Sequence, residues 1–403
     1  MKDFSVYIPT RLFFGPGHAD NFAAAVAKLG RKALLVTGGG SIHKLGYFEY
    51  VAAALNKAGV AIVEFSGIEA NPLAQTINRA AKEHMNSGIE VVIPLGGGSV
   101  MDASKGISAL LHDRESDVWE FVLGSPRHSQ LKGALPIAAI PTTAATASEV
   151  TPYSVISNKD VSGKSVLAYE FFKPLISWLN PEFTTKLTPT TTQDGASDIL
   201  SHVFENYLLG GNDSPMADRY SEGIMRSVMS SLPAVLKDLS DVHHRGILLW
   251  CSSLALNGIH LAGRNPSEFV LHSIEHAMSG YHHELAHGRG LATLYPAYFR
   301  WLWQKERARD RMARLGVELF GLPAADANTG LNFIEKFEGW LKENQLLQSA
   351  NQIGIPNSAF KQIAEYAVKI YGGNIQLNAL GAMGVEDIVE VLELTESQRI
   401  GQK

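Results

Sequence analysis

Short apolar runs rich in β-branched residues alternate with helical segments over the first 180 or so residues, and this alternation limits the fold more than any other feature. The runs with strand patterns are Lys32–Thr37, Ala61–Phe65, Glu90–Leu95 and Pro136–Pro141, and the helical segments between them are Lys44–Ala58, Pro72–Asn86 and Val100–Leu111. Such alternation predicts an α/β domain with a doubly wound, Rossmann-like parallel sheet. Ligands of these sheets bind at the carboxyl ends of the strands.

The composition changes near residues 180–195, where proline and threonine are frequent. We interpret this stretch as a linker. Beyond it, strand patterns nearly vanish and helical patterns run from Ala196 onward. The sequence therefore predicts two domains, an α/β domain over residues 1–182 and an all-α domain over residues 183–403.

Charge and cysteine content argue against several classes of protein. A net charge of −5 provides no positive field for nucleic acid or an anionic membrane surface. The one cysteine, Cys251, cannot form an internal disulfide and fits a reducing compartment. The first residues lack the continuous apolar region of a signal peptide. The apolar run Gly246–Ala262 is short and polar for a bilayer span and is better read as a buried helix. We therefore expect a cytoplasmic protein with no nucleic-acid or membrane partner.

Glycine-rich segments follow two of the predicted strands. In Leu95–Asp102 and Thr37–Lys44, three glycines separate a strand from a helix, so the backbone could approach a ligand and the helix N-terminus could bind a pyrophosphate. A plain strand-to-helix turn is the alternative for each. The tip of the second segment has no acidic residue to bind the adenosine ribose, so a 2′-phosphate would be tolerated. Pro141–Glu149 adds hydroxyl groups after a third strand, which is a weak signal by itself.

Histidines are concentrated in one segment, because five of the 14 lie in the 16 residues from His272 to His287. His272 and His276 are four residues apart, as are Asp198 and His202, and each pair would share a helix face. Two such faces could meet around one first-row divalent ion such as iron, zinc, cobalt or nickel. His287 could complete the ligand set. The alternative, that these are ordinary core or surface histidines, stays open on spacing alone.

Four segments, in this order along the chain, resemble the iron-containing (group III) alcohol dehydrogenases. They are Gly96–Lys105, Pro141–Thr151, Ser197–Glu205 and His272–Ala292. The resemblance covers nearly the whole chain and is greatest to the branch of butanol dehydrogenases and aldehyde reductases. It implies a dehydroquinate-synthase-like architecture, in which the α/β domain of residues 1–182 binds the dinucleotide and the all-α domain of residues 183–403 binds metal and substrate.

The resemblance also implies residue roles. Metal ligands would be Asp198, His202, His272 and His287, and the catalytic histidine beside the substrate would be His276. Cofactor-binding residues would be Gly39, Gly40, Ser41, Gly97, Gly98, Ser99, Asp102, Thr142, Thr143 and Lys164. Three departures from the family pattern are the alanines Ala145 and Ala147 in place of glycines, Asn180 in place of aspartate, and one extra residue between His276 and His287. The last departure leaves His283 as an alternative ligand to His287.

The resemblance implies a cytoplasmic oxidoreductase that transfers hydride between a nicotinamide and a small primary alcohol or aldehyde. The metal would act as a Lewis acid, with Fe²⁺ favoured and Zn²⁺ or Ni²⁺ possible. NADP(H) is favoured over NAD(H) because of the missing acidic residue, and a homodimer is expected. Two alternatives remain: a glycerol-dehydrogenase-like or dehydroquinate-synthase-like enzyme on the same scaffold, and a non-catalytic protein that binds nucleotide or metal.

Overall fold

The computed structural model describes residues 1–161 and 163–397, which form two compact units. The first, called the sheet unit, contains residues 8–187 and 239–253. The second, called the helical unit, contains residues 1–7, 188–238 and the chain from residue 254 onward. None of the helices in the described ranges combines the length and apolar composition needed to cross a membrane.

The sheet unit is built on a parallel sheet with a separate hairpin. Its strands are β1 (Arg11–Phe14), β2 (Lys32–Thr37), β3 (Ala61–Phe65), β4 (Val91–Gly96), β5 (Ala138–Pro141), β6 (Tyr153–Asn158), β7 (Gly163–Ala168) and β8 (Ile176–Leu179). Six of them pair in the order β1-β8-β5-β4-β2-β3, and every pairing is parallel. β6 and β7 form an antiparallel pair. Since β4, β2 and β3 are neighbours and parallel, their carboxyl ends lie at one edge.

Helices connect these strands and make up the helical unit. In chain order they are α1 (Ala19–Val26), α2 (Ser41–Lys44), α3 (Tyr47–Lys57), α4 (Ala74–His84), α5 (Gly98–Asp113), α6 (Pro189–Leu209), α7 (Pro215–Lys237), α8 (Val242–Ala255), α9 (Val270–Tyr281), α10 (His287–Gln304), α11 (Arg309–Phe320), α12 (Thr329–Glu343), α13 (Phe360–Tyr371) and α14 (Val385–Glu396). Two short strands, β9 (Leu377–Asn378) and β10 (Ala382–Met383), pair antiparallel near the end of the helical unit.

Both faces of the central strands are buried. On β2, Leu34 and Val36 belong to one apolar cluster, whereas Ala33 and Leu35 belong to another. Successive side chains of a strand point to opposite faces, so these two clusters are the cores on either side of the sheet. This explains why β2 reads as a continuous apolar run rather than an alternating one.

The centre of the helical unit is α6, whose side chains are buried from Gly195 through Leu209. A helix buried on all sides has no solvated stripe, and its polar residues must therefore find partners inside the protein. α6 packs against α7 and α10, and α9 packs against α10 and α13. This packing brings several polar residues of three helices into one buried region.

The predicted fold class is confirmed, with corrections of detail. Residues 180–195 are not a linker throughout, because α6 already begins at Pro189, where the Thr188 side chain accepts a hydrogen bond from the Thr191 N–H. The predicted helix from Lys44 begins at Tyr47, after Gly46 with φ +72°. The chain passes from the sheet unit to the helical unit at residues 187 and 188, and residues 1–7 lie in the helical unit and 239–253 in the sheet unit. The functional domains divided at 182/183 stay a prediction. The hairpin β6–β7 and strand β8 were not predicted.

Candidate metal centre

Three helices of the helical unit contribute polar side chains to one buried position. Asp198 and His202 lie one turn apart on α6, and His272 lies in the first turn of α9. His287 is the first residue of α10. Asp198, His202 and His272 are all buried, and their ligand atoms lie within 4.8 Å of one another.

The imidazole nitrogens surround a single carboxylate oxygen. The distances from Asp198 Oδ1 are 3.5 Å to His202 Nε2, 3.9 Å to His272 Nε2 and 3.6 Å to His287 Nε2. Ligands about 2.1 Å from a tetrahedral cation are themselves about 3.4 Å apart. The separations are therefore those of a ligand set around one ion, and they are too long for ordinary hydrogen bonds between the four groups.

The hydrogen-bonding capacity of this cluster is incomplete within the described chain. Asp198 Oδ1 and His272 Nε2 are buried without a hydrogen-bond partner among the described residues, and so is His202 Nδ1. A buried polar atom without a partner costs about 1–3 kcal/mol, and more when it is charged. A divalent cation would satisfy Asp198 Oδ1 and His272 Nε2 together, so the residues present fit a metal ion.

Two glycines allow α10 to begin close to its neighbours. A Cβ on Gly288 would collide with the backbone oxygen of Asp194 on α6. A Cβ on Gly290 would lie 2.8 Å from Cγ of Glu275 on α9. Between them, Arg289 donates from Nε to Asp194 Oδ1 at 2.8 Å. The absent side chains and this ion pair hold the first turn of α10 against α6, which places His287 beside Asp198.

The protonation of the cluster follows from burial and from mutual charge. Burial raises the pKa of Asp198, but the adjacent imidazoles of His202 and His287 outweigh it and hold this pKa well below its usual range. Burial lowers the pKa of His202 to about 3. Burial also acts to lower the pKa of His272, but the neighbouring carboxylates of Asp198 and Glu205 raise it to about 9. Without a metal, His272 therefore holds the proton of this cluster.

His276 lies beside the cluster but has a different environment. Its Nδ1 shares a hydrogen bond of 3.1 Å with the Tyr371 hydroxyl. Its ring stacks on His287, with centroids 5.2 Å apart. A second set of possible ligand atoms, from Glu275, His276 and His287, also lies within 4.8 Å of one another, next to the set from Asp198, His202 and His272. His283, the alternative to His287, is in neither of these groups.

The glycine-rich turns of the sheet unit follow β4 and β2. Gly97 and Gly98 begin α5, where a Cβ would lie 3.2 Å from Thr143 Oγ1 or 2.7 Å from Thr146 Oγ1. Gly39 and Gly40 precede α2, and no atom lies within 4 Å of a Cβ built on either residue. The first turn is thus packed by the hydroxyl-rich loop, whereas the second is open at its tip.

The residues expected to bind the cofactor differ in how exposed they are to solvent. Asp102 is 8% exposed and accepts hydrogen bonds from the Ser148 hydroxyl at 2.6 Å and the Val155 N–H at 2.9 Å. Lys164 is buried and donates to Asn71 Oδ1 at 3.1 Å. Thr142 is buried next to the first turn, and its N–H donates to the Gly96 oxygen. Ser41 and Gly39 are exposed, and Ser99 lies in the first turn of α5.

Two sequence models of one family match nearly the whole chain. The model "Iron-containing alcohol dehydrogenase" matches residues 9–181, and "Fe-containing alcohol dehydrogenase family, C-terminal" matches residues 192–395. The chain belongs to the iron-containing alcohol dehydrogenase family. It is therefore an oxidoreductase of the alcohol dehydrogenase class, and a metal and a nicotinamide cofactor are its expected reactive groups.

Individual relatives agree with this assignment to the iron-containing alcohol dehydrogenases. The chain is 32% identical to NADH-dependent butanol dehydrogenase B of Clostridium acetobutylicum over 378 residues, which is 93% of this chain and 95% of the relative. It is 31% identical to the NADPH-dependent aldehyde reductase YqhD of Escherichia coli over 312 residues, 77% of this chain and 78% of the relative. The crystal structure of NADH-dependent butanol dehydrogenase A from Thermotoga maritima superposes with a TM-score of 0.91 at 30% identity, covering 98% of this chain and 99% of that one.

Two carboxylates that sequence analysis missed support the candidate ligands of this alcohol dehydrogenase. Glu205 Oε2 lies 2.7 Å from His272 Nδ1, and Glu205 also accepts from the Leu271 N–H in the first turn of α9. Glu275 accepts from His287 Nδ1. A carboxylate behind a metal-binding imidazole fixes the ring and its tautomer. Spacing could have indicated Glu205, because it lies three residues after His202 and seven after Asp198, on the same face of α6.

Proposed function

We propose that the protein is a metal-dependent, NAD(P)H-linked alcohol dehydrogenase or aldehyde reductase that acts on small primary alcohols and aldehydes. One observation carries the proposal within this family. Three imidazole nitrogens lie 3.5–3.9 Å from one buried carboxylate oxygen that has no hydrogen-bond partner among the described residues. A cluster satisfied by its own hydrogen bonds would have no need of an ion.

Asp198, His202, His272 and His287 are the proposed ligands, with His287 preferred to His283. The donor set of one carboxylate and three imidazoles is compatible with Fe²⁺, which we favour, and with Zn²⁺ or Ni²⁺. When bound, the cation supplies a Lewis acid for the substrate oxygen, and the nicotinamide supplies or accepts the hydride. Glu205 and Glu275 hold two of the imidazoles in the orientation that presents Nε2.

His276 is the proposed proton carrier. Its Nδ1 lies 3.1 Å from the Tyr371 hydroxyl, which orients the ring, and Nε2 is the ring atom that we propose exchanges a proton with the substrate oxygen. The ring stacked on His287 is held in place without itself being a ligand. Aldehyde reduction would take a proton from this imidazole, and alcohol oxidation would return one to it.

The nucleotide is proposed to bind at the turns after β4 and β2. Gly97, Gly98 and Ser99 would cradle the pyrophosphate, because the first N–H groups of α5 have no partner within the helix. Thr142 and Thr143 would line the cofactor site, Lys164 would contact a ribose, and Gly39, Gly40 and Ser41 would meet the adenosine ribose or its 2′-phosphate. We favour NADP(H), because the tip of the second turn has no acidic residue. Asp102 would orient Ser148, whose hydroxyl donates a hydrogen bond to the Asp102 carboxylate.

An assay of aldehyde reduction tests the proposal. Protein loaded with Fe²⁺ without oxygen should consume NADPH or NADH when butanal is added, as followed at the nicotinamide absorbance band. A chelator should abolish the consumption, and added Fe²⁺ should restore it. The variant His283→Ala is the matched control, since it alters a histidine of the same segment and should keep activity. Tight binding of cofactor without consumption of any small aldehyde would support a non-catalytic protein instead.

Location and assembly are also proposals. The single cysteine supports a cytoplasmic location, and a homodimer is the assembly we expect. Light scattering coupled to size-exclusion chromatography would measure the mass of the assembly. A monomeric mass at micromolar concentration would contradict the dimer.

A further inference from the structure

A carboxylate lies at the base of the open turn after β2, although the tip of the turn has none. Glu64, on β3, accepts a hydrogen bond from the Thr37 hydroxyl at 3.4 Å. Thr37 is the last residue of β2 and precedes the glycines of the turn. Glu64 is therefore contributed by the neighbouring strand, which a search for acidic residues within the turn could not find.

The order of strands places this carboxylate at the outer end of the proposed nucleotide site. β4, β2 and β3 are consecutive in the sheet and parallel. A dinucleotide with its pyrophosphate at the turn after β4 and its adenosine ribose at the turn after β2 would have Glu64 next along the edge. A carboxylate in such a position accepts hydrogen bonds from a ribose 2′-hydroxyl and repels a 2′-phosphate.

Glu64 is not an isolated charge, because His43 lies between it and a second carboxylate. His43 Nε2 is 2.7 Å from Glu64 Oε1, and Nδ1 is 3.3 Å from Glu49 Oε1. The ring also stacks on Phe48, with centroids 4.4 Å apart. Hydrogen bonds to Glu64 and Glu49 raise the pKa of His43, so its protonated form is favoured.

We propose that the Glu64–His43 pair sets the choice between NADP(H) and NAD(H). Protonated His43 compensates Glu64 and lets a 2′-phosphate approach, whereas uncompensated Glu64 favours the 2′-hydroxyl. This inference rests on the proposed function, since it requires the adenosine ribose at the turn after β2. It adds a residue pair that decides between the cofactors.

The preference of the protein for NADP(H) over NAD(H) should therefore depend on pH. The charged groups that face His43 are Glu64 from β3 and Glu49 from α3, and Lys44 follows it on α2. Below its raised pKa, His43 is charged and the pair is compensated. As pH rises through that pKa, the compensation is lost and NADPH should bind more weakly relative to NADH.

Dissociation constants of NADPH and NADH for the metal-loaded protein, measured by calorimetry at several pH values, test the pair. His43→Ala should weaken NADPH binding about tenfold or more and change NADH binding less than about twofold. Glu64→Gln should strengthen NADPH and weaken NADH. His43→Lys should retain NADPH binding and remove its decline with pH, which separates charge from lost packing. Glu49→Gln is the comparison variant with the smaller expected effect, because Glu49 is 61% exposed.

The outcomes separate this inference from the proposed function. If the unmodified protein binds neither NADPH nor NADH, the proposed nucleotide site itself fails. If it binds both and His43→Ala or Glu64→Gln changes the two affinities equally or not at all, only the role of the pair is overturned. Weaker binding of NADPH but not of NADH in His43→Ala, opposite changes for the two cofactors in Glu64→Gln, and NADPH binding retained in His43→Lys would support the pair.

Discussion

The two units of the protein each bury a cluster of charged side chains, and the clusters differ in how completely they are satisfied. In the sheet unit, Lys105 donates from Nζ to Ser148 Oγ at 2.7 Å, to the Tyr153 oxygen at 2.6 Å and to Thr151 Oγ1 at 3.4 Å. In the helical unit, Asp198 Oδ1 and His272 Nε2 have no hydrogen-bond partner among the described residues.

The difference distinguishes a structural network from a binding site. Asp102 uses one carboxylate oxygen for Ser148 and the other for the Val155 N–H, so the protein itself supplies its partners. Such a network joins α5 to the loop after β5 and to β6. The cluster around Asp198 is equally buried, but Asp198 Oδ1 and His272 Nε2 find no hydrogen-bond partner among the described residues. The two clusters are alike in burial and charge, and they differ in whether their buried polar atoms have hydrogen-bond partners.

The largest expected effect comes from removing the carboxylate at the centre of the metal cluster. Asp198→Ala should lose the metal ion and lower kcat/KM by about a thousandfold or more, because Lewis-acid stabilisation contributes several kcal/mol. Metal analysis and steady-state kinetics measure the two losses. Asp241→Ala is the matched control, because Asp241 pairs with His244 at 2.6 Å but lies outside the cluster. If Asp198→Ala retained the metal, the cluster around Asp198 would not be the metal site, and its difference from the hydrogen-bonded cluster of the sheet unit would have no functional meaning.

His276 sharpens the comparison, because this histidine has a partner on Nδ1 although it lies beside the metal cluster. His276→Ala should keep the metal and lose about a hundredfold or more in kcat, as expected for a general acid–base group. The pH profile of kcat should also change. Loss of metal from this variant would make His276 a ligand and contradict the assignment.

A variant of Lys105 tests whether the hydrogen-bonded cluster of the sheet unit stabilises the fold. Lys105→Met should lower the free energy of unfolding by about 3–5 kcal/mol, because the buried carboxyl groups of Asp102 and Glu149 would lose the compensating charge of Lys105. Lys57→Met is the control, since the Lys57–Asp20 pair is exposed and should contribute less than about 1 kcal/mol. Urea unfolding of both variants gives the comparison. Equal effects would show that the buried network has no special structural role.

Glu205 and Glu275 should have smaller effects on the metal than the ligands themselves. Glu205→Gln should weaken metal binding by about 10–100-fold while leaving the ligand atoms in place, because the imidazole of His272 loses its charged partner. Competition with a chromogenic chelator measures this change. A variant that binds metal as tightly as the unmodified protein would show that the carboxylate only caps α9.

The last expected effect is on the pH dependence of metal binding. Without metal, the neighbouring carboxylates of Asp198 and Glu205 overcome burial and raise the pKa of His272 to about 9. The proton on His272 therefore competes with the metal below this value. Metal affinity should rise about tenfold per pH unit from neutral pH and level off near pH 9, because one proton is displaced. An affinity that is constant from pH 7 to 9 would contradict the assigned protonation.

Much of the fold and of the candidate ligand set follows from sequence patterns, for identifiable reasons. The sequence displays β2 and β3 directly as short runs rich in β-branched and apolar residues, and it displays the helices between the strands by their helical period. β8 has four residues, too few for any period, and it pairs with strands that are distant along the chain. The start of α6 at Pro189 depends on the Thr188 cap, which a Pro/Thr-rich composition obscures.

The residues of the candidate site could be predicted only in part from the sequence, for a related reason. Spacing of four residues identifies pairs on one helix, which is why Asp198 with His202 could be recognised. Glu275 reaches His287 from a different helix, and Glu64 reaches His43 from a strand, so only the packing reveals those contacts. Burial of Asp102 likewise depends on Ser148 and Val155, which are distant along the chain.

A titration with Co²⁺, followed by its visible absorption, tests the central claim most directly. Co²⁺ bound by one carboxylate and three imidazoles absorbs strongly in the visible range, because a site of low coordination number lacks a centre of symmetry. We predict saturation at one equivalent per chain, with the signal lost in Asp198→Ala, changed in His287→Ala and kept in His283→Ala. A signal that never saturates, or one that Asp198→Ala leaves intact, would contradict a single cation at this cluster.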